Sequence, residues 1–321
     1  MKIKVFAPAS IGNFSVGYDL LGAALQPIND YLLGDIIEVS RHCYRKWIVK
    51  GPFHEELPAD PEDNIIFLCL QFFNQQLESK NAATGREIPI ENLSVTLDKR
   101  LPVGSGLGSS SSSIVAMMVA LNHWYKTPFS QHELLLMMGK MEAQISGSLH
   151  YDNIAPCYLG GLQLMGNDDV ISRQLPWNFS GYFVVANPGT RIMTKQAREV
   201  LPKQLSLQNT IAHAANLANF IQSLYEQDEK QLYAHFNDLI AEPYRQDLLP
   251  DYATHKSELL KLGAKMVGIS GSGPTLFAFT DTLDSAETLE RYLSSNYRAN
   301  DQAFCYICQL SSSGARIIAE E

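Results

Sequence analysis

The chain has 321 residues, of which 45% are hydrophobic and 18% charged, a composition typical of a globular protein rather than a disordered one. This length fits about two domains, and a chain of this size can bury a core without disulfide or metal staples. The net charge of −9 argues against a protein that binds nucleic acid or an anionic membrane, because phosphate groups require a basic surface. A small anionic ligand is not excluded, since local amides and a few cations suffice to bind it.

The first half of the chain mixes short strands with amphipathic helices. Apolar residues at alternate positions predict strands at 2–7, 36–39 and 93–97. Apolar residues at helical spacing predict helices at 64–76, 114–121 and 131–145. The apolar run at 114–121 is far shorter than the ~20 residues that span a bilayer, and polar residues interrupt the N-terminal apolar run. We therefore expect a cytoplasmic protein.

The second half has the same mixed character. A Gly160-Gly161 turn leads into a strand at 162–165, and further strands are predicted at 182–186, 265–269, 275–279 and 303–309. Helices are predicted at 194–200, 207–225, 230–240 and 286–292. Strands and helices mixed along the whole chain predict an α+β fold, for which we expect domains at 1–165 and 166–321.

The cysteines do not indicate a disulfide framework, because there are five of them at irregular spacing. Cys305 and Cys308 form the only C-x-x-C pair, which we interpret as two thiols in a buried strand. A redox or zinc centre is the alternative, but a structural zinc would need two further ligands at suitable spacing, and none is evident.

The most informative segment is the glycine-serine stretch at 102–113, with the sequence PVGSGLGSSSSS. A predicted strand leads into it and a predicted helix leads out of it, so no residues are spare for a flexible linker. Three glycines permit a backbone that exposes consecutive N–H groups, and the serines lie where the helix dipole is positive. This pattern predicts a phosphate-binding loop. It is neither a Walker A motif nor a Rossmann fingerprint, since no Gly-Lys-Ser/Thr occurs and Ser109 occupies the third glycine position.

A second glycine-rich turn, GISGSGP at 268–274, lies between two predicted strands. Taken alone it fits a tight hairpin as well as a binding loop. Two such turns far apart in sequence suggest the two sides of one cleft.

Three motifs in order give the sequence a resemblance to the GHMP kinase superfamily. Residues 8–19 resemble its N-terminal substrate motif, 102–112 its phosphate loop and 268–274 its C-terminal glycine motif. The segments 13–19, 150–156, 194–198 and 242–250 are most similar to the members that phosphorylate the hydroxyl of L-homoserine. The resemblance implies an ATP-binding N-terminal domain of the ribosomal S5 domain 2 type, a ferredoxin-like C-terminal domain, and a role in threonine biosynthesis.

The resemblance also implies a nucleotide site and a metal site. It assigns Mg²⁺ to Ser110 and Glu142, whose oxygen atoms are suitably hard ligands. Without it, Glu142 would be interpreted as a solvated helix carboxylate and Lys99 as a surface lysine. The residues assigned to ATP are Asn64, Lys99, Pro102, Val103, Gly104, Ser105, Gly106, Leu107, Gly108, Ser109, Ser110, Ser111 and Ser112. Ser111, Ser112 and Ser113 depart from the small apolar residues frequent after this motif, but serine is small enough for the helix entry to survive.

A pocket for homoserine must bind a zwitterion that carries a hydroxyl at its far end. Arginine pairs bidentately with carboxylates, which favours Arg198 and Arg245 for the carboxylate. Asp19 is the candidate partner of the ammonium group, and Asn13 and His150 are further candidates for substrate binding. The alternatives are surface arginines, a turn aspartate and a structural histidine.

For catalysis the resemblance points to Asn153 and Arg198. Some superfamily members have an aspartate near the reacting hydroxyl, whereas the matching position here is Asn153, next to Asp152. We therefore hypothesise direct attack of the hydroxyl without a side-chain base. The alternatives are a mevalonate-type kinase or a non-catalytic ATP sensor of the same fold, and a homodimer is plausible from the resemblance and the amphipathic C-terminal helices.

Overall fold

The computed structural model describes residues 1–166 and 170–321. Its strands are β1 (Lys2–Pro8), β2 (Ser10–Gly12), β3 (Leu21–Pro27), β4 (Gly34–Arg41), β5 (Lys46–Lys50), β6 (Leu93–Asp98), β7 (Leu162–Met165), β8 (Ser172–Leu175), β9 (Tyr182–Asn187), β10 (Met266–Ile269), β11 (Leu276–Thr280), β12 (Phe304–Leu310) and β13 (Arg316–Glu320). Its α-helices are α1 (Ile65–Thr84), α2 (Ser109–Trp124), α3 (Gln131–Ser146), α4 (Ile154–Leu159), α5 (Thr194–Glu199), α6 (Leu207–Glu226), α7 (Glu229–Ala234), α8 (Glu242–Arg245), α9 (Tyr252–Lys261) and α10 (Leu283–Asn296). No helix of these described ranges is long and apolar enough to cross a membrane.

The first sheet has the strand order β13-β1-β4-β6-β5, in which β5 runs parallel to β6 and the other pairs are antiparallel. Helix α2 packs directly on β1 and β4, with α1 and α3 beside it. Residues 114–118 of α2 are buried without interruption, which identifies α2 as a central helix rather than a surface helix. This burial fixes the position of its N-terminus, where the glycine-serine loop ends.

The second sheet has the order β10-β11-β9-β12-β3-β7-β8, with β2 paired to β3. Side chains of β9 alternate between two cores, as the two-residue period of a strand requires. Phe183 and Val185 join a cluster that contains Phe14 and Phe277, whereas Val184 packs with residues of α9 and α10. Both faces of this strand are therefore buried.

Besides the hairpin of β7 and β8, two strand pairings connect the N-terminal and C-terminal parts of the chain. β13 pairs with β1 in the first sheet, and β12 pairs with β3 in the second. The mixed sheets and helices confirm the α+β prediction. The domain limits 1–165 and 166–321 stay a proposal, and these two pairings cross them.

Most predicted elements have a counterpart, but one helix prediction is wrong in its second half. The helix predicted at 230–240 ends at Ala234. The Asp238 carboxylate accepts hydrogen bonds from the N–H groups of residues 240, 241 and 242, so this segment begins a new turn instead of continuing the helix. Helix α2 begins at Ser109, five residues before the predicted start at 114, because the serines form its first turns.

The C-x-x-C pair lies in the strand β12, as predicted, but only Cys308 is fully buried, whereas Cys305 and most of the strand are partly exposed. Burial raises the pKa of both thiols, so neither is activated as a thiolate. All five cysteines are free, and the described ranges contain no group of three or more histidine, cysteine or acidic side chains arranged to bind a metal ion.

Candidate active site

A cleft of about 400 Å³ brings both halves of the chain together. It is lined by the glycine-serine loop, by α2 and α3, by residues near 13–19 and 150–153, and by Arg198, Arg245 and Gly271. Most of the predicted site residues line it: Asn13, Asp19, Lys99, Val103, Gly104, Ser105, Gly106, Gly108, Ser109, Ser110, Ser111, Glu142, His150, Asn153, Arg198 and Arg245. The other four predicted residues, Asn64, Pro102, Leu107 and Ser112, are not among its lining residues.

The glycine-serine loop is tightly packed and is not a linker. Gly104, Gly106 and Gly108 have φ angles of 70°, 82° and 65°, a region that side chains disfavour. A Cβ atom on Gly106 would lie 2.4 Å from the Ser270 carbonyl oxygen, and one on Gly108 would lie 2.3 Å from Ser10 Oγ. The second glycine turn therefore packs against the first, as the two sides of one cleft. The loop ends at the N-terminus of a buried helix, whose dipole favours anions.

The serines of α2 divide into structural and cleft-facing residues. Ser112 Oγ donates to the Ala7 carbonyl, and Ser113 Oγ donates to Asp35. Ser110 Oγ and Ser111 Oγ donate instead to the Glu142 carboxylate, at 2.8 and 3.3 Å. The hydroxyls at 112 and 113 therefore connect α2 to β1 and β4, which explains why serine replaces an apolar residue there.

Glu142 is a buried carboxylate that faces the cleft with a side-chain exposure of only 5%. Burial raises its pKa, opposed by the charge of His150 and by the hydrogen bond from Ser110. Within the described ranges, no lysine, arginine or histidine nitrogen lies within 4.0 Å of this carboxylate. A carboxylate without a cation, next to a hydroxyl and an anion-binding loop, suits Mg²⁺, which takes one or two protein oxygens and completes its shell with water and phosphate.

Lys99 lines the cleft but its ammonium group is bonded inside the protein. Its Nζ pairs with Asp35 at 2.5 Å and also donates to the Ser109 carbonyl. Asp35 accepts further hydrogen bonds from the N–H groups of residues 100 and 101, and both side chains are at most 1% exposed. This pair joins β4, the end of β6 and the start of α2. Lys99 therefore supports the start of α2, where the phosphate loop ends. Direct contact of Lys99 with the nucleotide stays a proposal.

We expect Lys99→Met to destabilise the fold by about 3–5 kcal/mol, because it leaves the Asp35 carboxylate buried without its cation. Urea unfolding measures this loss. The double variant with Asp35→Asn should recover part of it, since the uncompensated charge is then removed. A Lys99→Met protein of unchanged stability that no longer binds ATP would instead favour direct contact with the nucleotide.

Asn64 lies next to the main cleft. Its side chain caps α1 by accepting a hydrogen bond from the Ile66 N–H at 3.0 Å. It also borders a mainly apolar side pocket of about 110 Å³ with walls that include Trp47, Pro58 and Leu97, and Pro58 lines the main cleft as well. The pocket therefore adjoins the phosphate loop side of the cleft.

Asp19 and Arg198 form an ion pair across 179 residues of sequence. The guanidinium nitrogens lie 2.8 and 3.1 Å from the two carboxylate oxygens. Burial alone lowers the pKa of Arg198, but the hydrogen bond and charge of Asp19 outweigh it, so the net direction is upward. Arg198 also donates a hydrogen bond to the Tyr18 hydroxyl at 3.2 Å.

Arg245 is a buried cation with 3% exposure. It donates to the carbonyls of Ala197 and Gly271, and its guanidinium lies 5.1 Å from the centre of the Tyr18 ring. No acidic oxygen of the described ranges lies within 4.0 Å of it. Burial lowers its pKa, and the nearby charge of Arg198 acts in the same direction, so the site favours an added anion.

His150, Asp152 and Asn153 form a hydrogen-bonded group beside these charges. His150 Nδ1 lies 3.0 Å from Asp152, which also accepts from the Asn13 N–H at 3.0 Å and the Asn153 amide at 3.3 Å. Asn153 in turn accepts from Ser10 Oγ. The opposite ring nitrogen of His150, Nε2, is buried without a hydrogen-bond partner in the described part of the chain.

Asn13 has both ends of its side-chain amide engaged. It donates to the Gly271 carbonyl and accepts from the Asp19 N–H, each at 2.9 Å. It therefore orients Asp19 and connects the N-terminal motif to the second glycine turn.

Asp152 and Glu56 line the cleft and Tyr18 contacts Arg198 beside it, and none of the three was predicted as a site residue. Asp152 and Tyr18 adjoin predicted positions, so their neighbours could have drawn attention to them. Glu56 had no such signal: its carboxylate accepts from the Val103 N–H at 2.7 Å and pairs with Arg191 at 2.9 Å, contacts between segments far apart in sequence.

Comparison with known proteins places these features in a family. The models for the GHMP kinases N-terminal domain and the GHMP kinases C-terminal domain match residues 64–161 and 220–299. A homoserine kinase of Buchnera aphidicola subsp. Acyrthosiphon pisum (strain Tuc7) is 46% identical over 319 residues, which are 98% of this chain and 99% of that protein. The crystal structure of homoserine kinase from Cytophaga hutchinsonii ATCC 33406 has a TM-score of 0.86 at 30% identity, covering 99% of this chain and 97% of that one.

The fold is also similar to that of more distant kinases. The crystal structure of L. major mevalonate kinase in complex with R-mevalonate has a TM-score of 0.67 at 16% identity, covering 96% of each chain. That likeness concerns the fold alone. The two domain matches and the near full-length similarity show that this chain belongs to the homoserine kinase family of the GHMP kinases.

Proposed function

We propose that this protein transfers the γ-phosphoryl group of ATP to the hydroxyl of L-homoserine, giving O-phospho-L-homoserine and ADP, as a step toward threonine. One observation carries the choice of substrate: Asp19, Arg198 and Arg245 line the same cleft as the phosphate loop. Together they offer one anion and two cations to a zwitterion. The 46% identical Buchnera homoserine kinase supports the same substrate.

The charges around Arg245 support a carboxylate ligand in particular. Arg245 is buried without an acidic partner in the described ranges, whereas Arg198 already pairs with Asp19. The Nε atom of Arg198 is buried and has no hydrogen-bond partner there, so this side chain can donate a further hydrogen bond. Mevalonate has a carboxylate but no ammonium group, and would leave Asp19 without a ligand partner.

For ATP, we propose that the phosphates bind N–H groups of the loop between residues 104 and 110 and that the adenine enters the side pocket beside Asn64. Ser110 and Glu142 fit Mg²⁺ as described above. Bound there, Mg²⁺ would neutralise charge on the phosphates during transfer.

The geometry supports transfer without a side-chain base. The hydroxyl oxygen of homoserine attacks the γ-phosphorus, the bond from that phosphorus to the bridging oxygen of ADP breaks, and the hydroxyl proton passes to a phosphoryl oxygen. Asp152 is a poor base: burial raises its pKa, but hydrogen bonding and charge from His150 and the Asn13 N–H outweigh this and lower it. His150 is poor as well, since Asp152 and Glu142 outweigh the effect of burial and raise its pKa, which favours the protonated ring. Asn153 is neutral and held by Ser10 and Asp152, so it is suited to orienting the hydroxyl.

Asn153→Asp tests this mechanism. We expect turnover to fall about tenfold, ~1.4 kcal/mol in activation free energy, because two carboxylates would face each other where the Asn153 amide now lies 3.3 Å from Asp152. Steady-state rates between pH 5.5 and 9 measure the effect. If Asn153→Asp turned over faster and its pH–rate profile gained an acidic limb, direct attack would be contradicted. A loss of 10²-fold or more in kcat for His150→Gln would instead make His150 the base.

The activity itself is tested by ADP release with Mg²⁺ and ATP over a panel of L-homoserine, L-serine, L-threonine, mevalonate and galactose. Turnover with homoserine, well above all others, is the expected result. Tight ATP binding without turnover of any of them would support the non-catalytic sensor instead. A cytoplasmic location and a homodimer stay proposals, and light scattering of the purified protein tests the dimer.

A further inference from the structure

The backbone of the phosphate loop has its carbonyl oxygens held by donors from outside the loop. The Gly104 carbonyl accepts from the Ile192 N–H at 3.0 Å, the Gly106 carbonyl from Ser270 Oγ at 2.7 Å, and the Leu107 carbonyl from the Ser10 N–H at 3.1 Å. The Ser105 carbonyl accepts three hydrogen bonds: from the Thr275 N–H at 3.2 Å, Thr275 Oγ1 at 2.7 Å and Asn187 Nδ2 at 3.3 Å. Four consecutive carbonyls are therefore engaged by three distant parts of the chain, at residues 10, 187–192 and 270–275.

This arrangement determines where the N–H groups point. In a trans peptide unit the C=O and the following N–H lie on opposite sides of the chain. With the carbonyls of residues 104–107 held outward, the N–H groups of residues 105, 106 and 108 turn the other way, while the Leu107 N–H donates to Ser105 Oγ at 3.4 Å. Ser105, Gly106 and Gly108 all line the cleft. Successive N–H groups turned to one side form a concavity that binds anions.

The peptide between Ser105 and Gly106 needs such support because it ends in a glycine. Its rotation changes ψ of Ser105 and φ of Gly106, and the glycine adopts positive and negative φ with similar ease, so the rotation costs little backbone energy on the Gly106 side. After a rotation its carbonyl oxygen would face the phosphates and repel them. The Ser105 carbonyl is also the one that receives three hydrogen bonds.

The two side chains that donate to it are themselves fixed and buried. Asn187 ends β9 and Thr275 precedes β11, and their exposures are 1% and 0%. The Asn187 Oδ1 atom accepts from the Gly189 N–H at 2.8 Å, so its Nδ2 atom is the end that faces Ser105. Nδ2 also contacts Thr275 Oγ1 at 3.0 Å. Asn187 belongs to the second sheet, Thr275 immediately precedes one of its strands, and neither residue lines the cleft.

We infer that Asn187 and Thr275 are positioning residues for the nucleotide phosphates: they hold the Ser105 carbonyl out of the cleft, so that the Gly106 N–H faces an anion. The inference rests on the proposed binding of ATP to this loop. It adds two residues of the C-terminal half to the phosphate site, although they do not touch the nucleotide.

Thr275→Val is the main test, because it removes the hydroxyl and keeps the branched side chain and the N–H donor. Titration with ADP and Mg²⁺ should show a Kd raised about fivefold, as the loss of one buried hydrogen bond predicts. The KM for ATP should rise by a similar factor, the KM for homoserine should not change, and binding of adenosine, which has no phosphate, should be unaffected. Thr275→Ser should restore the wild-type Kd for ADP.

Thr280→Val is the matched control. Thr280 is the last residue of β11, which Thr275 precedes, and it is 1% exposed; its hydroxyl donates to the carbonyl of Gly263, outside the loop. Its removal should lower the melting temperature without changing the Kd for ADP.

Asn187→Asp is the second variant, and it places a carboxylate oxygen against the Ser105 carbonyl with almost no change in shape. We expect the Kd for ADP to rise at least tenfold. The inference is overturned if Thr275→Val or Asn187→Asp binds ADP like the wild type, or if Thr275→Ser weakens binding as much as Thr275→Val. Failure of the wild type to phosphorylate homoserine would instead refute the proposed function and would leave the ADP titrations interpretable.

Discussion

Glu142→Gln is expected to lower kcat by about 10³-fold and, at the same time, to raise the melting temperature of the ligand-free protein. The loss of activity follows from the proposed role of Glu142 as one of only two protein ligands of Mg²⁺, because charge stabilisation of the transferring phosphoryl group is the main contribution to such reactions. The gain in stability follows from the burial of this carboxylate without a cation in the described part of the structure. Glutamine keeps the shape and removes the charge.

The gain in stability from Glu142→Gln should depend on pH. Because burial raises the pKa of Glu142, the folded state binds its proton more tightly than the unfolded state. Its contribution to stability is therefore fully present below the ordinary pKa of 4.5 and is lost as the pH rises through the raised value. The stability advantage of Glu142→Gln should accordingly be small at pH 4.5 and largest above neutrality, where we expect an increase of about 2 °C or more in melting temperature.

Glu133→Gln on the same helix is the control, with the opposite sign. The hydrogen bond from Lys80, together with that from the Ser130 N–H, lowers the pKa of Glu133 to about 2. Its contribution to stability is present above the ordinary pKa of 4.5 and is lost as the pH falls toward 2. This variant should melt lower than the wild type at neutral pH and keep its kcat. A Glu142→Gln protein that melts lower than the wild type without ligand, or that keeps its turnover, would contradict the proposed metal site.

Arg245→Gln is expected to raise the KM for homoserine about 10²-fold and to leave the KM for ATP within about twofold. Removal of one partner of a buried charge pair costs about 2–5 kcal/mol, and the expected change corresponds to the lower part of that range. Arg245→Lys keeps the charge but loses the planar, bidentate geometry, so an intermediate increase of about tenfold is expected. Steady-state kinetics with each substrate varied separately measures both values.

The uncharged analogue homoserine amide provides the control for this prediction. If Arg245 binds the carboxylate, the wild type and Arg245→Gln should use the amide with similar KM values. Because Arg245 also bonds the Gly271 carbonyl near the phosphate loop, a general disturbance of the site would raise the KM for ATP as well. That outcome, or an equal loss with homoserine and its amide, would argue against a carboxylate contact.

The elements with strong local signals were predictable from the sequence. Strands β1, β6 and β9 have apolar alternation or apolar runs, and α2 and α3 have apolar residues at helical spacing or throughout. Strand β5 was missed because it is a largely exposed strand at the sheet edge with lysines at both ends, and its parallel pairing with β6 has no local signature. Helix α4 was missed because it contains Pro156 and its first four residues are all buried, so its sequence shows no polar face.

The sequence by itself determined the family motifs, the glycine-serine phosphate loop and the identity of most residues that line the cleft. These depend on residue types at fixed local spacing, which remain readable without a fold. Only the tertiary structure decided which of these side chains have partners. Asp19 meets Arg198, and Lys99 meets Asp35, whereas Glu142 and Arg245 face the cleft without an opposite charge in the described ranges. Such pairing depends on the meeting of segments separated by tens to hundreds of residues, and local sequence carries no information about the distance between them.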